Sequence, residues 1–243
     1  MCADIDYKAQ STYVRRLHQL FGNGGKYHLD LACGTGPHIR HLIDTGYLCQ
    51  GLDLNQPMLD QAKLRCPEAT FKQQDMCGFT VETKLDLITC FLYSIHYSGD
   101  IEKLQACIAS AHAALNEGGM FCFNVVEKNK IDNRLFVRHN AQHNGDNFVF
   151  ASGWHYPGKG ERQSLKLSIE KHSDNETLQW SDEHPMVAVS FDQMRQLLEP
   201  YFDVYIFEHD YEKIVPLDNT SGNAFFACVK RNEATPAKQE LAA

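Results

Sequence analysis

The chain has 243 residues, 43% apolar and 22% charged, with a formal net charge of −8. That balance predicts one soluble globular domain with a real core and room for an inserted subdomain. The negative charge, with no Lys/Arg run longer than a dipeptide, argues against a nucleic-acid partner, whose backbone needs an electropositive surface. Nine cysteines and twelve histidines are scattered without CxxC pairs or ligand spacing. They predict neither a disulfide framework nor a metal site, and a reduced, cytoplasmic setting. No stretch approaches the roughly 20 apolar residues of a membrane span, and the N-terminus MCADIDYKAQ lacks a signal-peptide core.

Helical spacing of Tyr13, Val14, Leu17, Leu20 and Phe21 predicts a helix over 5–21, stopped by the Gly-rich run 22–25. A strand over 27–31, a helix over 37–45, a strand over 47–54 and a helix over 57–66 follow. A short strand over 70–73, an apolar strand over 85–91, a helix over 101–115 and a buried strand over 120–126 complete the alternation. Five strands alternating with helices imply parallel βαβ units covered on both faces. From 128 to 147 the chain is polar, without clean periodicity. Three alternating runs, 148–154, 164–172 and 177–189, are separated by Pro157-Gly158-Lys159-Gly160 and Ser173-Asp174-Asn175. They predict an inserted three-stranded antiparallel sheet, a wall or lid over a site. Ser190 caps a helix over 191–198, and strands over 202–208 and 224–229 close the sheet, with an antiparallel hairpin at its edge. The prediction is a Rossmann-like α/β fold: a seven-stranded, mostly parallel sheet plus the insert. Its divisions are a core at 1–127, the insert at 128–189, completion of the core at 190–231 and a loose tail at 232–243.

The stretch LDLACGTG, 29–36, organises this plan. Asp30 sits in an apolar strand that breaks at Ala32-Cys33-Gly34-Thr35-Gly36 and re-enters a helix at Pro37. Small residues let backbone N–H groups approach a ligand. A dinucleotide fingerprint from Gly34 would need a small residue where Ile39 stands, which counts against a nicotinamide-dependent oxidoreductase. The carboxylate of Asp30 beside the turn suits a cationic ligand, and the sulfonium and ammonium of S-adenosylmethionine fit it. Ligands of open α/β sheets lie at the carboxyl ends of the strands, and here three successive strands end in acids: Asp30, Asp53 and Asp75. Asp53, about twenty residues past the turn, is placed to hold both ribose hydroxyls. Asp75 is placed to accept from an adenine amine, with Leu54 and Met76 along the ring.

The set LDLACGTG, GLDLN (51–55), PML (57–59), QQDM (73–76) and LDLITCF (85–91) resembles the class I S-adenosylmethionine-dependent methyltransferases. The match spans about 27–126. The ACGTG turn, the small inserted sheet and the length are similar to bacterial small-molecule enzymes, the sugar-amine N,N-dimethyltransferases of antibiotic pathways among them. The resemblance implies Ala32 and Gly34 beside the methionine part, Asp53 at the ribose and Asp75 and Met76 at the adenine. It also implies Met58 in the cofactor site, Phe91 at the methionine tail, and Tyr13 as the aromatic of an N-terminal helix closing over the cofactor. The chain departs from the sugar enzymes in Tyr-Ser-Ile-His-Tyr, 93–97, and at Asn124-Val125-Val126-Glu127.

Methyl transfer needs a positioned nucleophile and, for some acceptors, a base. Candidates follow the fourth strand (Tyr93, His96, Tyr97) and the fifth (Asn124, Glu127). His96 is either a general base or a cap bonded to backbone; Tyr93 and Tyr97 either line a cation-holding pocket or pack in the core. In the insert, Arg134 and Arg138 clamp a substrate carboxylate if their segment is helical, or else lie on a solvated face. Trp154 is a further substrate-side candidate, whereas His139, His143 and His155 make no ligand set and His184-Pro185 marks a strand bend. The expected function is methylation of a small-molecule substrate by a monomer or homodimer, with nitrogen favoured over a hydroxyl or carboxyl oxygen. A non-catalytic cofactor-binding module is the alternative of a different class.

Overall fold

The computed structural model describes residues 5–173, 176–218 and 220–231. The expected tail at 232–243, the first four residues, and Asp174 and Asn175 of the predicted turn lie outside the described residues. In chain order come α1 (Tyr7–Phe21), β1 (Tyr27–Leu31), α2 (Pro37–Ile43), β2 (Leu48–Asp53), α3 (Gln56–Arg65) and β3 (Thr70–Gln73). Next are β4 (Leu85–Cys90), α4 (Ile101–Ala114) and β5 (Leu115–Val126). The insert holds β6 (Val137–His143), β7 (Asp146–His155), β8 (Arg162–His172) and β9 (Thr177–Val187). Then α5 (Phe191–Leu198), β10 (Phe202–Glu208) and β11 (Asn223–Lys230) close the chain. Side chains set several of these starts: Asp6, Asn55, Asp100 and Ser190 each accept from a backbone N–H of the first turn, and Ser190 with Gln193 forms a capping box.

The main sheet has the order β10-β11-β5-β4-β1-β2-β3. Neighbours β1 to β5 are parallel, and β11 runs antiparallel to both β5 and β10. Two antiparallel steps make β10 parallel to β5, so the carboxyl end of β10 joins those of β1 to β5 on one edge. Strand order reverses between β1 and β4, which opens the ligand crevice of such sheets above them. Alternation along the strands divides the core. Leu29, Leu31, Ile88, Phe121 and Phe123 pack under α4 and α5, and Cys49, Leu87, Cys122 and Phe225 pack under α1 and α2. Every residue of β4 is buried. Each fully buried Leu or Phe contributes about 1.5–3 kcal/mol, so this core fixes the strand ends rigidly.

Two expectations for the insert are corrected. The antiparallel sheet has four strands, in the order β6-β7-β8-β9. The additional strand, Val-Arg-His-Asn-Ala-Gln-His, is exposed along almost its whole length, so no apolar alternation marks it. Backbone pairing with β7 and the Asn144-Gly145 turn, both residues at positive φ (51° and 86°), hold it instead. The segment carrying Arg134 and Arg138 is not helical. Arg134 lies in a turn, bonded to Asp132, and Arg138 lies on β6; both are exposed and form no clamp.

Candidate cofactor and acceptor site

The turn after β1 is built as the sequence predicts. Ala32, Gly34 and Gly36 take positive φ of 51°, 54° and 73°, and Cys33 N–H returns to Leu52 of β2 (2.9 Å). The Gly34 N–H donates to Asp53 Oδ2 (2.8 Å), and Asn55 N–H donates to Asp53 Oδ1 (2.8 Å). Asp53 thus ties the glycine turn to the start of α3 and keeps lone pairs for further donors. A Cβ on Gly34 would meet only Met58 Sδ at 3.8 Å, so the turn faces open space beside Met58. Leu54, Met58 and Asp75 are exposed along the ends of β2 and β3, with Met76 buried beneath them. Asp75 accepts from Cys77 N–H (2.8 Å). These groups form one rim of the crevice.

Three of the expected cofactor contacts stand differently. Asp30 is buried, and its Oδ1 accepts from Thr89 Oγ1 (2.6 Å) rather than facing a cation. Burial pushes its carboxyl up to about 7, because desolvation outweighs the Thr89 bond. Thr89 is bonded in turn to His28 Nε2 (2.8 Å), so Asp30 ends an internal polar row under the turn. Phe91 is buried too, with the His38 ring stacked on it at 3.8 Å, so that face is closed to a ligand. Tyr13 is fully buried in α1, edge-on to Tyr211 (5.5 Å) and Phe225 (5.2 Å). Its hydroxyl has no hydrogen-bond partner. An unpaired buried hydroxyl costs about 1–3 kcal/mol, which a polar ligand group recovers. That orphan, the open glycine turn and the Asp53 carboxylate fit a ligand with a charged amino-acid end and a ribose.

The second half of the site lies where β4, β5 and β10 end. Leu92 and Tyr93 take positive φ (54° and 62°), a costly conformation for bulky residues, held here by the surrounding bonds. Leu92 N–H donates to Asn124 Oδ1 (3.2 Å), and Asn124 Nδ2 donates to Tyr211 Oη (2.9 Å). Tyr211 Oη lies 3.0 Å from His209 Nε2, and Tyr93 Oη lies 3.3 Å from the same nitrogen. Trp154, from β7, packs edge-on against Tyr93 at 5.7 Å. Trp154 therefore meets Tyr93 directly, and Asn124 is linked to Tyr93 through Tyr211 and His209. Asn124 itself is fully buried with both ends of its amide engaged, so it orients Tyr211 rather than touching a substrate.

His96 lies edge-on to Trp154 at 5.8 Å but turns neither nitrogen to this group, and Tyr97 is bonded elsewhere. The His96 ring is fully buried: Nδ1 donates to Val187 O (2.8 Å), and Nε2 accepts from Val126 N–H (3.1 Å). With both nitrogens bound to backbone and its pKa lowered by burial to about 4, it pins β5 to β9 and is no general base. Tyr97 points outward, its hydroxyl 2.6 Å from His184 Nδ1. Glu127 caps α5, accepting from Phe191 N–H (2.7 Å). His209 and Tyr211 escaped the sequence reading, which took β10 and β11 for an edge hairpin. Because β10 is parallel to β5, the strand-end rule applies to it as well, and it would have found both. Among the described residues no cluster of His, Cys, Asp or Glu is placed to hold a metal, and no helix is long and apolar enough to cross a membrane.

A methyltransferase-domain family matches residues 29–119. A dTDP-3-amino-3,4,6-trideoxy-alpha-D-glucopyranose N,N-dimethyltransferase of Streptomyces venezuelae is 33% identical over 115 residues, 47% of this chain and 48% of that enzyme. The match thus spans about half the length of that relative. A putative methyltransferase of Geobacillus sp. (strain WCH70) is 26% identical over 93% of this chain and 94% of its own. The S-adenosylmethionine-bound structure of an amino pentose methyltransferase from Micromonospora echinaspora superposes with a TM-score of 0.79 at 16% identity, covering 93% of this chain and 92% of that one. Residues 29–119 thus match a methyltransferase domain, and the chain as a whole has the fold of solved S-adenosylmethionine-dependent methyltransferases.

Proposed function

We propose that the protein methylates the nitrogen of a small-molecule amine. The observation that carries this reading is the group at the ends of β4, β5 and β10: Tyr93 packs against Trp154 and His209, and His209 is bonded to Tyr211, whose ring meets Tyr13. Aromatic faces attract an ammonium and the growing methylammonium, worth about 0.5–2 kcal/mol per contact. Arg134 and Arg138, the candidate clamp for a carboxylate acceptor, are both exposed and form no clamp. The named relatives that act on amino sugars support nitrogen as the acceptor.

S-adenosylmethionine, when bound, supplies an electrophilic methyl group on a sulfonium. Asp53 would hold its ribose, the rim of Leu54, Met58, Asp75 and Met76 its adenine, and Ala32, Gly34 and the Tyr13 hydroxyl its methionine end. Tyr93 and Trp154 then hold the acceptor nitrogen for in-line attack, and such positioning alone supplies much of the rate. The inserted sheet walls this side through Trp154, keeping water from the reacting atoms.

The test supplies methyl-labelled S-adenosylmethionine to the purified protein with a panel of primary amines, amino sugars included, and matching alcohols and carboxylic acids. Mass spectrometry of the products reads the acceptor atom. One or two labelled methyl groups on nitrogen are expected. Label on oxygen alone overturns the amine reading, and cofactor binding without transfer to any panel member would make the chain a binding module.

A further inference from the structure

We propose that His209 is the proton acceptor of the reaction, working through the Tyr93 hydroxyl, which meets the acceptor amine. The inference rests on the amine reading above and deepens it, since an amine arrives as an ammonium and cannot attack until it loses a proton.

The first two hydrogen-bond directions follow from groups that can act in only one way. A backbone N–H can only donate, so Leu92 fixes the Asn124 oxygen towards itself and turns the NH₂ towards Tyr211. An amide NH₂ can only donate, so the Tyr211 oxygen accepts from Asn124, and in this proposal the Tyr211 proton goes to His209 Nε2 at 3.0 Å. That makes Nε2 an acceptor and places the imidazole proton on Nδ1. Nε2 has a single lone pair in the ring plane, and the Tyr211 hydroxyl at 3.0 Å and the Tyr93 hydroxyl at 3.3 Å share it, so a rotation brings either proton to it. Of the two hydroxyls, that of Tyr211 is also bonded to Asn124, and Tyr93 is the one beside Trp154. His96 shows the contrast: its two nitrogens are engaged by Val187 and Val126 backbone, with the Gln163 amide also against Nδ1, whereas His209 Nε2 is bracketed by two hydroxyls that can rotate.

The groups around His209 agree with this role. Desolvation lowers its pKa, keeping it neutral at pH 7, and the Asp210 charge opposes that shift and would favour the imidazolium once formed. Asp210 is itself held by Glu212 and Lys213 N–H groups. Tyr93 and Tyr211 face the ring from the β4 end and its own loop, and both hydroxyls have raised pKa values through burial, so they stay protonated and relay rather than ionise. The neighbouring Glu208 carboxylate is taken up by Asp218 N–H.

The step balances as follows. The ammonium N–H proton passes to Tyr93 Oη as the Tyr93 proton moves to His209 Nε2. The freed nitrogen lone pair forms the bond to the methyl carbon while the carbon–sulfur bond breaks and its pair stays on sulfur. The product is a methylammonium and an imidazolium, which returns its proton to solvent.

Two measurements test this. ¹⁵N-histidine NMR of the wild-type protein, assigned with His209→Gln, needs neither cofactor nor acceptor. A neutral ring protonated on Nδ1 at pH 7 is expected; an Nε2–H tautomer or an imidazolium overturns the proposal. Separately, the pH profile of kcat/KM with any amine methylated in the panel should show an acid limb below the ordinary histidine value of about 6.5. His209→Gln should lower kcat/KM by about 10²–10⁴. It should also remove that limb, the rate then following the amine's own ionisation. An unchanged profile overturns the relay while leaving the amine reading intact. Failure of every amine as acceptor overturns the reading, and the NMR result still decides the tautomer.

Discussion

The main sheet and the inserted sheet solve the same problem with different physics. All six residues of β4 are buried, whereas the first seven of β9 are exposed. In the main sheet helices press on both faces, so side chains dictate register and a one-residue slip would drive polar groups into the core. In the insert, Phe148, Phe150, Ile169 and Trp180 share one face by strand alternation, yet Trp180 at its far edge is half exposed. Register there comes from the backbone ladder and from the turns. The lesson is where precision lies. The rigid sheet fixes the cofactor crevice, and the softer one contributes a single ring, Trp154, to the acceptor side.

The sharpest way to break this contrast is a core truncation. Phe123→Ala removes a fully buried ring stacked on Phe226 and should cost about 3–5 kcal/mol in urea unfolding; a cost below 1 kcal/mol would mean that the main sheet is not the rigid partner. Next in size is the buried acid. The Asp30 pKa is raised to about 7 in the fold from 3.8, so the folded state binds the proton more tightly. Its contribution to stability is then fully present below pH 3.8 and lost as pH rises through about 7. Asp30→Asn keeps an acceptor for Thr89 and should remove that loss, flattening stability between those pH values. Parallel curves for the two proteins would reject the assignment.

Asp53→Ala should weaken S-adenosylmethionine binding about 10- to 100-fold by calorimetry, from the loss of charge-assisted bonds, with the inserted sheet undisturbed. Within the insert the effects shrink. Gly145→Ala forces a side chain to φ 86° with open space around it, so strain alone acts, about 1–2 kcal/mol on the hairpin. Hydrogen exchange should show faster opening of β6 and β7 and unchanged protection in β4. Trp180→Lys, on the exposed edge, should stay within about 0.5 kcal/mol of wild type. A larger loss would reveal packing on that face and erase the difference between the sheets.

The sequence by itself determined the strands of the main sheet, the glycine turn and the acids that tip β1 to β3. Those signals are local: apolar runs, caps, and small residues where backbone must approach a ligand. It carried the Asn144-Gly145 turn as well, although the polar strand beside it has no alternation to draw attention to it. Only the tertiary structure decided which polar groups face the crevice. Asp30 and Phe91 sit at the right places in the chain, but neighbours on β4 and α2 cover them. His96 and His209 look alike in sequence and differ in every partner, because strands far apart in the chain supply those partners. Burial and hydrogen-bond direction are properties of what packs against a residue, and periodicity along one segment does not contain them.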